Sequence, residues 1–112
     1  MKMSCELARE LKLENGIRLR QHELAGIMAK GLIYAEYWGK FDGVIGDKII
    51  LRNLADCRDE VKTYSFTCDD FYSAIEIAIE NEIWDGDLDT LDYETADAII
   101  QIACFEEVVF AR

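Results

Sequence analysis

Acidic side chains are prominent among the residues of this chain that could take part in chemistry. Thirteen Asp and Glu residues lie between Lys62 and Arg112, and no Lys or Arg lies between those two positions. Carboxylates in such number can coordinate a cation or bind a basic surface of another molecule. Eleven of these acids and two aromatic neighbours form the predicted partner-binding set: Asp69, Asp70, Glu76, Glu80, Glu82, Asp85, Asp87, Asp89, Asp92, Glu94, Asp97, Trp84 and Tyr93.

The segment DGDLDTLD, residues 85–92, is the strongest candidate for a metal site. Its first three aspartates occupy positions 1, 3 and 5 of a calcium-loop pattern. Position 6 is Thr90 instead of the glycine that allows the sharp turn, and position 12 is Ala96 instead of a bidentate Glu. We therefore predict no EF-hand and no metal site, while weak binding of a cation by this acidic loop stays open.

The four cysteines do not form a metal-binding pattern. None belongs to a C-x-x-C pair, and His22 is the one histidine that could join them, whereas a structural zinc site needs paired ligands at close spacing. Two disulfides are conceivable, but a chain with a core of this size in a cytosolic setting does not need them. The cysteines are therefore predicted to be buried thiols: Cys5, Cys57, Cys68 and Cys104.

Residues suited to covalent or nucleotide chemistry are scarce. The three serines, Ser4, Ser65 and Ser73, are not in a G-x-S-x-G motif, and a lone histidine near the start of a helix is more often structural than catalytic. The glycines of GKFDGVIGDK lack the spacing of a phosphate-binding loop and the helix that should follow it. We expect a non-enzymatic protein without a cofactor.

Size and composition favour one compact domain over residues 1–112. With 112 residues and 51% apolar content, the chain can bury a core without disulfide bonds or a structural metal to stabilise it. No apolar run approaches the roughly 18 residues of a membrane span, and the first residues do not form an apolar signal region. The prediction is a soluble cytoplasmic protein, in the host cytoplasm if it is encoded by a phage.

The charge is divided unevenly along the chain. The net charge is −11, with seven basic and five acidic residues in 1–40, a balance of +2, and five against eighteen in 41–112, a balance of −13. Residues 63–111 contain no Lys or Arg. Ordinary helix faces mix signs, because opposite charges at i,i+4 stabilise and like charges destabilise. Disorder does not explain the imbalance, because the acids alternate with a dense apolar pattern.

The stretch LKLENGIRLR, residues 11–20, allows two readings. As the turn of a helix-turn-helix it would place Arg18 and Arg20 at the start of a DNA-reading helix. As a β-hairpin with a three-residue loop it pairs Leu13 with Ile17 and puts Gly16 where a positive φ is required. The hairpin is favoured over the helix-turn-helix, and a helix end at residues 15–16 is the remaining alternative.

Apolar periodicity predicts the other elements of the N-terminal half. Residues 3–10 are predicted as a short helix, and residues 21–38 as a longer one in which Gly26 and Gly31 could allow close approach of another element. The glycine-rich segment 39–48 is predicted as a loop. Two strands follow, KIILRNL and VKTYSFTC.

Two acidic helices are predicted to complete the chain. Thr67 or Asp69 can cap the first helix, and Asp89 or Asp92 can cap the second, which is predicted to run from Tyr93 to about Val109. The outward stripe of the second helix is predicted to carry Glu94, Asp97 and Gln101. The resulting fold class is α+β: a single small domain with a central helix, a short β-hairpin and sheet, and two C-terminal acidic helices.

The function predicted from this pattern is inhibition of a basic protein. Carboxylates at i,i+4 on a helix are about 6 Å apart along its axis, comparable with the 3.4 Å axial spacing of phosphates in a nucleic-acid strand. The chain would then act as a nucleic-acid mimic that blocks a DNA- or RNA-binding protein or a nuclease, without itself binding nucleic acid or membrane. Trp84, Tyr93 and Trp38 are the candidates for tight central contacts, with core packing as the alternative for each of them.

Two other functions stay open at this point. The same acids could neutralise a basic nuclease toxin, as an immunity protein or antitoxin does. A helix-turn-helix regulator with an acidic C-terminal half would require the helical reading of residues 11–20. In size and charge, though in no shared motif, the chain resembles small acidic α and β proteins of phages and mobile elements, including anti-CRISPR and anti-restriction inhibitors.

Overall fold

An antiparallel hairpin begins the part of the chain that the structure, a computed structural model, describes: residues 10–13, 16–52 and 62–110. Strands β1 (Glu10–Lys12) and β2 (Arg18–Arg20) pair with Leu11 opposite Leu19. The Leu13 amide donates to the carbonyl oxygen of Ile17 at 2.8 Å, and Gly16 has a φ of +90°. The predicted hairpin and its register are confirmed, which excludes the helix-turn-helix. The predicted helix over residues 3–10 lies outside the described residues except for Glu10, which is in β1.

The predicted long helix forms helix α1 (Gln21–Tyr34) and a following 3₁₀ turn (Ala35–Tyr37). Its buried residues, Leu24, Ile27, Gly31 and Ala35, recur at helical spacing. A Cβ on Gly31 would lie 2.6 Å from the Ala96 carbonyl oxygen, so the predicted close approach occurs at this glycine. At Gly26 nothing lies within 4 Å of such a Cβ, so the prediction is wrong there: that glycine faces outward from the helix.

This difference gives a matched pair of substitutions. We expect Gly31→Ala to lower the free energy of unfolding by about 1–3 kcal/mol, because the added methyl meets a backbone oxygen that cannot move alone. Gly26→Ala should raise it by about 1 kcal/mol, because alanine is the better helix former and its methyl enters open space. Urea denaturation of both variants measures the difference. Equal effects at the two positions would contradict the close packing of α1.

A three-stranded antiparallel sheet follows, in the order β3 (Lys40–Ile45), β4 (Lys48–Arg52) and β5 (Thr63–Thr67). The prediction of a loop over residues 39–48 is wrong, because two of its glycines serve the hairpin rather than interrupt it. Gly46 forms the turn with a φ of +63°, and Gly43 has a φ of +132° where the register shifts. The strands predicted in KIILRNL and VKTYSFTC are confirmed in β4 and β5.

Helices α2 (Cys68–Glu80) and α3 (Tyr93–Phe105) complete the fold. The Thr67 hydroxyl accepts from the Asp70 amide, and Asp92 accepts from the Thr95 amide, so of the two caps predicted as alternatives for each helix, Thr67 and Asp92 are the ones that form. Helix α3 ends about four residues earlier than predicted, where Glu106 has a left-handed φ of +65°. It packs against α1, α2 and β5 and is buried on nearly every side. The protein is a small compact α+β domain, as predicted, with α3 at its centre.

Of the two cysteines in the described part of the chain, one differs from its predicted state. Cys68 is disulfide-bonded, so the prediction of a free thiol is wrong there, because distance along the sequence does not report distance in the fold. Cys104 is a free thiol whose pKa is raised to about 12 by burial and by the nearby charge of Asp70. Cys5 and Cys57 lie outside the described residues. None of the described helices is long and apolar enough to span a membrane.

Candidate functional site

The acidic segment, residues 63–110, presents most of its carboxylates to solvent. Twelve of its thirteen Asp and Glu residues are exposed. Between described residues there are two ion pairs, Arg18 with Glu10 and Arg52 with Asp42, and neither includes an acid of this segment. The negative charge of this surface is therefore not neutralised by ion pairing within the described fold.

Helix α2 carries the longest regular array of these acids. Asp69, Glu76 and Glu80 are all exposed and recur at the spacing of one helix face; we call them the acidic stripe. The opposite face of α2, with Phe71 and Ala78, is fully buried. Burial of that face holds the stripe outward, along a helix about 20 Å long. The stripe is thus positioned by the core and not by contacts of its own side chains.

Helix α3 does not carry the predicted second stripe. Glu94 is exposed, but Asp97 is 3% exposed and Gln101 is 0% exposed, so their predicted outward position is wrong. The error follows from the location of the helix, which has neighbours on several sides and so no continuous solvent face. Polar residues on such a helix are buried, and they need hydrogen-bond partners within the protein.

Those partners form a polar cluster of Tyr37, Trp38, Asp97 and Gln101. The two Asp97 carboxylate oxygens accept hydrogen bonds from Trp38 Nε1 at 2.6 Å and from the Tyr37 hydroxyl at 2.7 Å. Gln101 Nε2 donates to Asp97 Oδ2 at 3.1 Å. Its amide oxygen accepts from the Val109 and Phe110 amides at 2.8 and 2.7 Å, which ties the segment after α3 to the core.

Burial, and next the hydrogen bond to Asp97, raises the pKa of Tyr37 well above its usual range. The hydroxyl is therefore protonated near neutral pH and donates to Asp97. The sequence carried one signal for this cluster: Asp97 and Gln101 are four residues apart on a helix that is otherwise almost entirely apolar. That spacing is also compatible with a buried polar pair.

The candidate aromatic residues separate into two groups. Trp38 and Trp84 are 2% and 4% exposed, so core packing is the correct alternative for both. Tyr93 is 50% exposed and stacks on Tyr34 with ring centroids 6.2 Å apart. Lys30 Nζ lies 5.2 Å from the Tyr93 centroid and donates to the Leu91 carbonyl oxygen at 2.9 Å. Tyr93 is thus the aromatic side chain of the predicted set that a partner can reach.

Several acids of the connection between α2 and α3 stabilise the turn they belong to. Asp85 Oδ1 accepts from the Asp87 amide at 2.9 Å and from the Thr90 hydroxyl at 2.8 Å. Asp87 Oδ1 in turn accepts from the Asp89 amide at 2.9 Å. Such local bonds are typical of aspartates that build turns. Within the described residues, no group of three or more His, Cys, Asp or Glu side chains is arranged to hold a metal ion.

The acids therefore divide by structural role. Those that accept hydrogen bonds in the fold are Asp70, Asp85, Asp87, Asp92 and Asp97. Six other members of the predicted set are exposed, and their side chains have no hydrogen bond or ion pair with a described residue: Asp69, Glu76, Glu80, Glu82, Asp89 and Glu94. The second group can be changed without removing a contact that the described fold uses.

Two acids that accept hydrogen bonds, the cap Asp92 and the turn residue Asp85, should make stability depend on pH. The pKa of Asp92 is lowered by hydrogen bonds from Thr95, and the pKa of Asp85 is lowered by the amide of Asp87 and the hydroxyl of Thr90. Because these pKa values are lower in the folded state, their contribution to stability is full above the unfolded value of about 3.9 and is lost as pH falls below it.

Asp92→Asn isolates this effect, because asparagine is an equally good helix cap without the charge. We expect the variant to unfold at a lower temperature than the parent protein at pH 6. The difference should shrink as the pH falls from 4 to 2, and thermal unfolding across that range measures it. A difference that stays constant down to pH 2 would show that the charge of Asp92 contributes nothing.

Comparison of the chain with protein-family models, curated proteins and solved structures gives no match.

Proposed function

We propose that this protein is a non-enzymatic inhibitor that uses its acidic surface to occupy the nucleic-acid-binding site of a basic protein. The observation that carries the proposal is the exposure of twelve carboxylates in residues 63–110, with no Lys or Arg among those residues. Mutual repulsion of like charges opposes the compact state. A surface that retains this repulsion in the free protein is suited to bind a cationic partner, because the partner's positive charges offset the repulsion.

The arrangement of the exposed acids supports a nucleic-acid mimic with one helical array of carboxylates, on α2, instead of the two arrays predicted from the sequence. The acidic stripe of α2 supplies carboxylates about 6 Å apart between Glu76 and Glu80, and Glu82 follows just beyond the helix end. Asp89 and Glu94 continue the exposed acids through the connection and into the first turn of α3. A groove that accommodates phosphates at regular intervals provides cations at comparable intervals. Anti-CRISPR and anti-restriction inhibitors are proteins of this functional class.

Long-range attraction would bring the two proteins together. Net charge of −11 steers a cationic partner at low ionic strength, and salt weakens that attraction because the Debye length falls to about 8 Å at 0.15 M. The half-exposed ring of Tyr93 then supplies apolar contact area next to the carboxylates of Asp92 and Glu94. Charge determines the encounter, and the aromatic ring contributes to the lifetime of the complex.

Affinity capture tests the proposal. The immobilised protein is incubated with cell lysate at low salt, with and without an excess of duplex DNA or single-stranded RNA. We expect capture of a nucleic-acid-binding protein that the added nucleic acid releases. If a partner is captured and neither nucleic acid releases it, the acidic surface is not acting as a mimic, and neutralisation of a toxin outside its nucleic-acid site becomes the better explanation. Direct retention of the nucleic acid by the bait would contradict the proposal.

A further inference from the structure

A small cavity lies between α1, α3 and the segment that follows α3. Its volume is about 130 Å³, roughly that of four water molecules in the liquid. The exposed residues of its lining, Glu94 and Val108, mark its rim, and the buried Asp97 and Gln101 lie at its base. The rest of the lining is aromatic or aliphatic: Tyr34, Tyr37, Ala98 and Phe110.

The chemistry of this lining favours an organic cation. One carboxylate stands at the rim and a second at the base, and the described residues that line the cavity include no Lys or Arg. The two tyrosine rings of the lining are in edge-to-face contact, with centroids 6.0 Å apart, and aromatic rings attract a positive charge. Lys30 shows the same attraction at the neighbouring Tyr93, where its ammonium lies 5.2 Å from the ring centroid.

Asp97 has capacity for a further hydrogen bond. Its carboxylate accepts from Trp38, Tyr37 and Gln101, whereas an ionised carboxylate offers about four acceptor sites. All three described donors are neutral, so the buried charge has no cation beside it within the described residues. Burying a charge without an opposite charge is unfavourable, and a cation entering the cavity would offset that cost.

We infer that the cavity receives the guanidinium group of an arginine side chain from the basic partner. The aliphatic stem would lie along Val108 and Ala98, and the planar head would lie beside the tyrosine rings with its donors toward Glu94 and Asp97. The inference rests on the proposed function for the identity of the partner, but the preference of the cavity for a guanidinium can be measured without it. It assigns specificity to a site separate from the acidic stripe.

The two tryptophans provide the readout. Trp38 Nε1 donates to Asp97, whereas Trp84 Nε1 donates to the Asp87 carbonyl oxygen at 3.0 Å. In an NMR titration with N-acetyl-arginine-methylamide, the Trp38 indole resonance should shift in a saturable way while the Trp84 indole resonance stays in place. The corresponding capped citrulline has nearly the same shape without the charge, and it should shift neither resonance. Equal shifts with both ligands would overturn the inference.

Two variants and one control variant complete the test. Ala98→Leu fills the cavity without changing any charge and should abolish the Trp38 shift. Glu94→Gln, at an exposed position, should weaken binding about threefold, whereas Glu36→Gln, outside the cavity, should leave binding unchanged. A Trp38 shift that survives Ala98→Leu would overturn the inference, and a loss of folding in that variant, judged from both indole resonances, leaves Glu94→Gln to decide it.

The same variants separate this inference from the proposed function. Ala98→Leu should weaken binding to the captured partner about tenfold, which would identify the cation as a side chain of that partner. Unchanged partner binding would overturn the assignment to the partner. No Trp38 shift, together with release of the partner by nucleic acid, would overturn the cavity alone. If the Trp38 resonance shifts specifically but no such partner is captured, the inference about the cavity stands and the proposed function is refuted.

Discussion

The variant Glu76→Lys/Glu80→Lys is expected to lose at least 100-fold in affinity for the captured partner. Both side chains are exposed, both belong to the acidic stripe, and neither makes a hydrogen bond or ion pair with a described residue. Reversal replaces two attractive contacts with repulsive ones. Close charge pairs at interfaces contribute about 1.5–7 kcal/mol, so a loss of about 2.7 kcal/mol, the equivalent of 100-fold, is a conservative expectation.

The charge-matched control is Glu36→Lys/Asp47→Lys. It changes the net charge by the same amount at two exposed positions outside the acidic segment. We expect the control to lose less than tenfold in affinity, because it weakens only the long-range attraction. Isothermal titration at 0.1 M salt compares the two variants. Equal losses would show that the partner responds to net charge alone and that the acidic stripe is not the contact surface.

The same stripe variant also tests whether these acids support the fold. Lysine at both positions is again a like-charge pair, so the local i,i+4 repulsion is unchanged. The substitutions do lower the negative charge of the surrounding surface, and they place cations near the C-terminal end of α2, the negative end of its dipole. We therefore expect the variant to unfold at the same or a slightly higher temperature than the parent protein at low salt. A lower unfolding temperature would mean that the stripe has a structural role that the described contacts do not contain.

The second large effect is expected in the core, at Asp97. Asp97→Asn keeps the shape of the side chain but replaces one of its acceptor oxygens with an NH₂ donor, which must face either Trp38 Nε1 or the donors at the other oxygen. A buried donor left without an acceptor costs about 1–3 kcal/mol, and weakening the charged hydrogen bonds adds to this. We expect the free energy of unfolding to fall by about 2–4 kcal/mol and the Tm by about 10 °C or more.

Asp89→Asn is the control for this substitution. Asp89 is exposed, and its carboxylate makes no hydrogen bond or ion pair with a described residue, so the variant should remain within about 0.5 kcal/mol of the parent protein. Hydrogen exchange adds a local readout, because the Val109 and Phe110 amides donate to Gln101, which is itself held by Asp97. Their exchange should accelerate in Asp97→Asn. Unchanged stability and exchange would contradict the role assigned to the polar cluster.

Local patterns were sufficient to predict the hairpin and the helix caps. Counting the register of residues 11–20 identified the pairing of Leu11 with Leu19 and the need for a positive φ at Gly16, because both depend on residues close together in sequence. Thr67 and Asp92 were each one of two candidate caps predicted for their helices, for the same reason. The glycines of residues 39–48 were misread as marks of a loop, since a turn and a bulge use the same residue type.

The environment of α3 was not predictable from its own sequence. A helix that packs on several neighbours has no solvent face, and Asp97 and Gln101 look like an exposed polar stripe unless those neighbours are known. The partners of Asp97 are about sixty residues away at Tyr37 and Trp38. Long-range contacts of this kind decide which polar residues are buried. As a result, Asp97 and Trp84 of the predicted partner-binding set are buried, whereas its acids in α2 and in the connection are exposed.

The most direct test of the central claim is a displacement titration. The captured partner is bound to a fluorescent oligonucleotide of the kind that released it, and this protein is added at increasing concentration while anisotropy is recorded. We expect complete displacement, with Glu76→Lys/Glu80→Lys inactive and Glu36→Lys/Asp47→Lys close to the parent protein. Binding of this protein while the oligonucleotide remains fully bound would contradict the claim that its acidic surface takes the place of a nucleic acid.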